Sequence, residues 1–205
     1  MYFDEVAEKW DTKRRIERAN ILSNSISDKI NKKKDLIALE VGCGTGLITL
    51  NLKNKFSKIY CVDTSKEMLS ILKSKIEKLN ITNIYPRRIE LINNNNNKFY
   101  EKFDVIYSSM VFHHIIDIKD ELRNLYKLLN KEGYLIIIDL DEEDGSFHKD
   151  EKDFCGHNGF KRQYLKDILE EYNFKEITFE TVYEGKKQLS DCIKEYSLFL
   201  CLAKV

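Results

Sequence analysis

Three alternating glycines in the stretch Leu39-Glu40-Val41-Gly42-Cys43-Gly44-Thr45-Gly46-Leu47 constrain this chain more than any other feature. They follow the short apolar run Ile37–Val41, which reads as a buried strand, and precede a helical pattern over about residues 47–55. Glycine at such a junction lets the backbone turn sharply and lets a ligand approach the main chain with no side chain in the way. The helix start offers free N–H groups to a carboxylate or phosphate. Asp63 follows about 17 residues after Gly46, at the end of the next strand. An acid there can accept hydrogen bonds from both hydroxyls of a ribose. A plain tight turn and a surface aspartate would explain each feature singly, but not their order. Dinucleotide sites space their glycines Gly-x-Gly-x-x-Gly; here Leu47 breaks that spacing, which argues against a nicotinamide dehydrogenase.

The rest of the chain alternates strand and helix signals. Lys58–Val62 reads as a strand. Thr64-Ser65-Lys66-Glu67 has capping-box spacing, with Glu67 able to reach back to the cap. The helix it opens carries Met68, Leu69, Leu72, Ile76 and Leu79 on one face. A weaker strand covers residues 84–91, and another Asp104–Ser108. Leu122, Leu125, Tyr126 and Leu129 stripe the next helix, and Tyr134–Leu140 is a strong strand. A late helix carries Tyr164, Leu165, Ile168 and Leu169. Two closing strands, Phe174–Tyr183 and Tyr196–Lys204, flank Glu184-Gly185-Lys186-Lys187. This alternation predicts an α/β fold: a Rossmann-like, mostly parallel twisted sheet of seven strands, helices on both faces, the last strand antiparallel. Before Leu36, the spacing of Val6, Trp10, Ile16, Ala19, Leu22, Ile26 and Ile30 predicts one or two amphipathic helices outside the sheet. Asn93–Asn97 reads as a surface loop. With 205 residues, no repeat and no linker, one domain is expected. Residues 1–35 would form a helical lid, residues 36–205 the core, and residues 140–160 a loop over the site.

Composition narrows the partners. Hydrophobic residues make up 42% and charged residues 33%, as in an ordinary globular protein. Thirty-four basic residues balance 34 acidic ones, so the basic excess typical of a nucleic-acid binder is missing. No apolar run is long enough to span a bilayer, and Met1-Tyr2-Phe3-Asp4-Glu5 is no signal-peptide core. Cys43, Cys61, Cys155, Cys192 and Cys201 form no disulfide framework, so a cytoplasmic protein is expected. Cys43, Cys61 and Cys201 sit in apolar runs as small buried hydrophobes.

All four histidines follow two of the predicted strands: His113 and His114 after one, His148 and His157 after the other. Ligands of an open α/β sheet bind beyond the carboxyl ends of its strands, so the four imidazoles could ring one pocket. Asp139, His148, His157 and His113 are the candidate catalytic residues, able to orient a nucleophile or take its proton. Packing and a backbone hydrogen bond would explain His113 and His114 equally well. The spacing of His148, Cys155 and His157 fits no standard zinc pattern, and no metal is expected.

The glycine loop resembles motif I of the class I S-adenosylmethionine-dependent methyltransferases, in the form Glu-x-Gly-x-Gly-x-Gly. The likeness extends through Cys61–Leu69, Phe103–Ile115 and Leu129–Asp139, and Trp10-Asp11 is similar to a pair near the start of many small-molecule members. Asp139–His148, with His157–Phe160, resembles an insertion of some bacterial small-molecule methyltransferases. The resemblance implies S-adenosyl-L-methionine as cofactor and S-adenosyl-L-homocysteine as product. Glu40, Gly42, Cys43, Gly44 and Gly46 would hold the amino-acid end, Asp63 and Thr64 the ribose side, and Met68 the adenine. Ser108 and Ser109 would lie beside the transferred methyl. An acid that accepts the adenine amino group is usual near the end of the third strand; Glu90, Asn93 and Asn94 are the candidates. Three functions stay open: methylation of a small molecule, methylation of RNA or protein, and cofactor binding without turnover. Aromatic-rich ends, including Tyr2, Phe3, Trp10, Phe147 and Phe154, favour a small organic acceptor under a lid.

Overall fold

The computed structural model describes residues 2–30, 35–89, 102–151 and 154–205. Seven strands form one sheet: β1 (Ile37–Val41), β2 (Lys58–Asp63), β3 (Ile84–Arg88), β4 (Phe103–Ser109), β5 (Leu129–Leu140), β6 (Lys175–Gln188) and β7 (Ile193–Lys204). Their spatial order is β3-β2-β1-β4-β5-β7-β6. The first five are parallel, and β7 runs antiparallel between β5 and β6. This is the Rossmann-like arrangement that the alternation predicts. The order reverses at β1, whose neighbours β2 and β4 lead the chain in opposite directions and open a crevice beyond their carboxyl ends.

Among the described residues there are six α-helices: α1 (Tyr2–Val6), α2 (Lys13–Lys29), α3 (Leu47–Leu52), α4 (Lys66–Lys78), α5 (Ile118–Leu128) and α6 (Arg162–Glu171). The strands alternate their side chains between two cores. On one face Ala38, Ile59, Val105 and Ile136 meet Leu22 and Ile26 of α2, Leu52 of α3 and Leu72 of α4. On the other, Leu39, Ile106, Leu135 and Ile137 meet Leu122 and Leu125 of α5 and Leu165 and Leu169 of α6. Each buried leucine contributes about 1.5–3 kcal/mol of transfer free energy. Among the described residues, no helix is long and apolar enough to cross a membrane.

Local details depart from the sequence reading. The cap of α4 is Ser65, whose hydroxyl accepts from the Met68 N–H at 3.1 Å; Thr64 is one residue too early, and Glu67 stands at the second helical position. Leu129 leaves the helical stripe and begins β5, paired with Phe103. Glu184–Lys187 is no turn: β6 runs through it, with Gly185 opposite Tyr196, and the reversal comes at Leu189–Cys192. A Cβ on Gly185 would stand 2.4 Å from the Tyr183 ring, so the glycine serves close ring packing within a strand. Glu90, Asn93 and Asn94 lie outside the described residues.

Candidate active site

At the end of β1 the chain folds back over β2: the Gly42 and Cys43 N–H groups both donate to the Val62 carbonyl, at 2.8 and 3.0 Å. Gly42, Gly44 and Gly46 all have positive φ, at 73°, 52° and 81°. They are glycines for different reasons. A Cβ on Gly42 would meet Val111 at 2.2 Å, and one on Gly46 would meet Leu72 at 2.3 Å. Near Gly44 the nearest atom is Trp10 Nε1 at 3.9 Å, so its missing side chain leaves open space for a ligand.

Asp63 ties this loop to α4. One carboxylate oxygen accepts from the Gly44 N–H at 2.7 Å and the other from the Ser65 N–H at 2.9 Å. Burial raises its pKa, against the pull of these N–H groups. Two oxygens offer about four acceptor directions, so lone pairs remain for a ligand. Glu40 lies deeper. Register places it beside Tyr107 of β4, whose hydroxyl donates to it at 3.1 Å; Thr49 of α3 donates to the same oxygen. Burial pushes the Glu40 carboxyl up to about 8, more than these two hydrogen bonds offset, with Asp63 adding to the rise.

The segment ahead of α2 is fastened over the loop. Asp11 accepts from the Thr45 hydroxyl at 2.5 Å and pairs with Lys75 of α4 at 2.6 Å, while Lys75 also donates to the Thr45 carbonyl at 2.8 Å. Asp4 accepts from the Ser65 hydroxyl at 2.6 Å. The Phe3 ring meets Trp10 and His114 edge-on, at centroid distances of 5.7 and 5.3 Å. Under this cover is a cavity of about 560 Å³. Glu40, Gly42, Cys43, Gly44, Asp63, Thr64, Met68 and Ser109 line it. Gly46 and Ser108 do not: Gly46 packs on Leu72, and the buried Ser108 hydroxyl donates to the Val41 carbonyl at 2.9 Å. Burial raises the Cys43 thiol well above its ordinary value, which makes it an inert wall.

His114 lines the opposite end. Behind it the His113 Nδ1 and the Asp139 carboxylate are 2.5 Å apart, both buried. Asp139 also accepts from the Leu140 N–H at 2.7 Å and the His113 N–H at 3.3 Å. Burial favours its neutral form, but His113 and these hydrogen bonds prevail and lower its pKa. His148 joins the pair, its ring stacked on Phe154 at 3.8 Å. Burial, reinforced by His113, lowers His114 to about 4 and His148 to about 3.

Two expectations need correction. The histidines do not all ring one pocket: His157 sits apart, its Nε2 donating to the Ile115 carbonyl at 2.9 Å and its N–H to the His113 carbonyl at 2.7 Å. Asp139 lies off the cavity wall, paired with the ring and the backbone N–H of His113. Gly156 explains the first: a Cβ there would stand 2.0 Å from the His113 carbonyl oxygen, so the backbone packs flush against the 113–116 loop. His114 is the histidine that reaches the cavity, and Thr49, Tyr107 and Lys75 are partners the sequence reading missed. Only the strand register of Tyr107 with Glu40 offered a signal for any of them.

Fold and site define a Rossmann-like domain that holds a nucleoside-bearing cofactor at its switch point. Residues 39–135 match the family described as "Methyltransferase domain". An uncharacterized methyltransferase of Schizosaccharomyces pombe is 31% identical over 150 residues, 67% of this chain and 53% of that protein. Malonyl-[acyl-carrier protein] O-methyltransferase of Bacillus anthracis is 29% identical over 127 residues, covering 61% and 45%. The chain thus spans about half the length of these two curated relatives. The crystal structure of Haemonchus contortus phosphoethanolamine N-methyltransferase 2 with S-adenosyl-L-methionine shares the fold, with a TM-score of 0.72 at 14% identity over 91% of this chain and 52% of that one. Residues 39–135 thus carry a methyltransferase domain, and the fold around it is that of the class I S-adenosylmethionine-dependent methyltransferases. The open space at Gly44 and the paired oxygens of Asp63 fit that cofactor.

Proposed function

We propose that this chain methylates a small molecule that enters beside His114. The observation that carries this reading is the joining of two unlike ends in one cavity: the glycine loop with Asp63 at one, His114 before a buried histidine cluster at the other. Bound S-adenosylmethionine supplies a methyl group already activated on a sulfonium. The protein's task is alignment and exclusion of water. Glu40 and the glycine loop hold the amino-acid end, Asp63 accepts from the ribose, and Met68 flanks the adenine. Phe3 and Trp10, held by the Asp11 and Asp4 contacts, shield the cavity as a lid on the core. His113, oriented by Asp139, works with His148 to position the acceptor through His114, and His157 supports the loop that carries His113 and His114. A cavity of this size suits a small ligand pair, and the balanced charge offers no track for a long nucleic acid. Free thiols fit a reducing compartment, and we place the protein in the cytoplasm.

Calorimetry with S-adenosylmethionine, S-adenosylhomocysteine and NAD, followed by labelled-methyl transfer to metabolite, RNA and protein pools, tests the reading. Binding of both S-adenosyl ligands, with label in the metabolite pool, is expected. NAD binding alone, or label only in RNA or protein, would overturn it.

A further inference from the structure

Three imidazoles carried by two strand ends meet at the acceptor end. His113, His114 and His148 each present a ring nitrogen, and these nitrogens lie within 4.8 Å of one another. Ring centroids are 4.1 Å apart for His113–His114, 4.9 Å for His113–His148 and 5.5 Å for His114–His148. We propose that these three side chains bind one divalent transition-metal ion, of the zinc type, beside the cavity.

Three observations converge on this site. The Asp139 carboxylate occupies the Nδ1 of His113, which fixes the ring and leaves Nε2 as the ligand; a metal-bound histidine usually has such a partner on its other nitrogen. The Nδ1 of His148 is buried with no hydrogen-bond partner, so an electron pair has nothing to bind. Lys187, whose charge bears on His114 and His148, is paired with Glu151 at 2.9 Å. Nitrogens around a tetrahedral zinc stand about 3.3 Å apart, so the wider pair must draw together on binding.

Ligand type sets the ion's class. Imidazoles without carboxylate or thiolate suit zinc and its transition-metal neighbours, whereas calcium and magnesium require oxygen ligands. Three protein ligands leave one position open, as in catalytic rather than structural zinc sites. His114 turns that position toward the cavity. The acceptor class follows, resting on the reading of this cavity as a methyl-transfer site: a hydroxyl or thiol compound whose donor atom ligates the ion. The ion keeps its oxidation state, the O–H or S–H bond breaks heterolytically, its electron pair stays on the donor atom, and the proton passes to solvent.

The test titrates the full chain, stripped with chelator and dialysed, with Zn²⁺ by calorimetry and with Co²⁺ by visible absorption. One ion per chain is expected, with ligand-field bands of a nitrogen-rich, low-symmetry site. His114→Gln and His148→Gln should each weaken binding at least tenfold, and Asp139→Asn by roughly 10–100-fold. Exposed Cys155 and Cys192 could hold an ion of their own, so Cys155→Ser/Cys192→Ser must retain the bands. No ion on the folded wild-type chain, or undiminished affinity in folded His114→Gln and His148→Gln, would overturn the proposal. S-adenosylhomocysteine binding is measured on the same samples. If it persists without ion binding, only the metal site fails; if the ion binds and it does not, the methyl-transfer reading fails instead.

Discussion

Replacing Asp63 by alanine removes the group that links the glycine loop to α4 and that, in the proposed function, accepts from the cofactor's ribose. Its two oxygens already accept from Gly44 and Ser65. Each further bond from a ribose hydroxyl to this carboxylate contributes about 1.5–3 kcal/mol. Backbone donors already draw on part of the charge, so the loss in affinity should be on the order of 3 kcal/mol, or roughly a 150-fold rise in Kd. Calorimetric titration with S-adenosylhomocysteine reads this directly, with circular dichroism to establish folding. Asparagine sharpens the test. Both Asp63 oxygens face N–H donors, so an asparagine must turn its own NH₂ group toward one of them. Asp63→Asn should therefore lower the melting temperature as well as the affinity, despite its near-identical shape. A folded Asp63→Ala protein whose Kd stays within threefold of wild type would refute the ribose contact.

Other perturbations probe separate parts of the site. Gly42→Ala, whose Cβ would strike Val111, should lower the melting temperature far more than Gly44→Ala, which should chiefly weaken cofactor binding; equal melting curves would count against the cradle at Gly44. Glu40, raised from 4.5 to about 8, binds its proton more tightly folded than unfolded, so stability should fall as pH rises through that window, and Glu40→Gln should flatten the fall in thermal melts. Asp11→Ala breaks the partly exposed pair with Lys75 and the bond from Thr45; cofactor release in stopped-flow should quicken several-fold, and an unchanged rate would remove Asp11 from the cover.

Most of the sheet was legible because its signals are local. The apolar run before Gly42, the helical stripe from Met68 and the run Tyr134–Leu140 each announce themselves within a dozen residues. Edge strand β6 was harder: only one of its neighbours is a strand, its residues alternate between half-buried and exposed, and Gly185 looked like a turn. Most residues assigned to the cofactor end do come together on one cavity, because they cluster at two strand ends. The acceptor end was not legible. His113 and His148 meet because Asp139 and the packing of residues 154–160 bring distant segments together, and no spacing encodes that. His157 follows the same strand as His148, yet its ring nitrogen goes to a carbonyl 42 residues back.

Placing β7 between β5 and β6 has a consequence for biosynthesis. Of the seven strands, the one that joins the sheet's two parts is made last. While residues 193–204 are still inside the ribosome, β5 presents Leu135–Leu140 as an open, strongly apolar edge, and β6 has no strand partner in the sheet. Such edges recruit strands from other chains. The nascent chain is thus most aggregation-prone after β6 has emerged and before β7 has, and the sheet closes only once β7 inserts between its two neighbours.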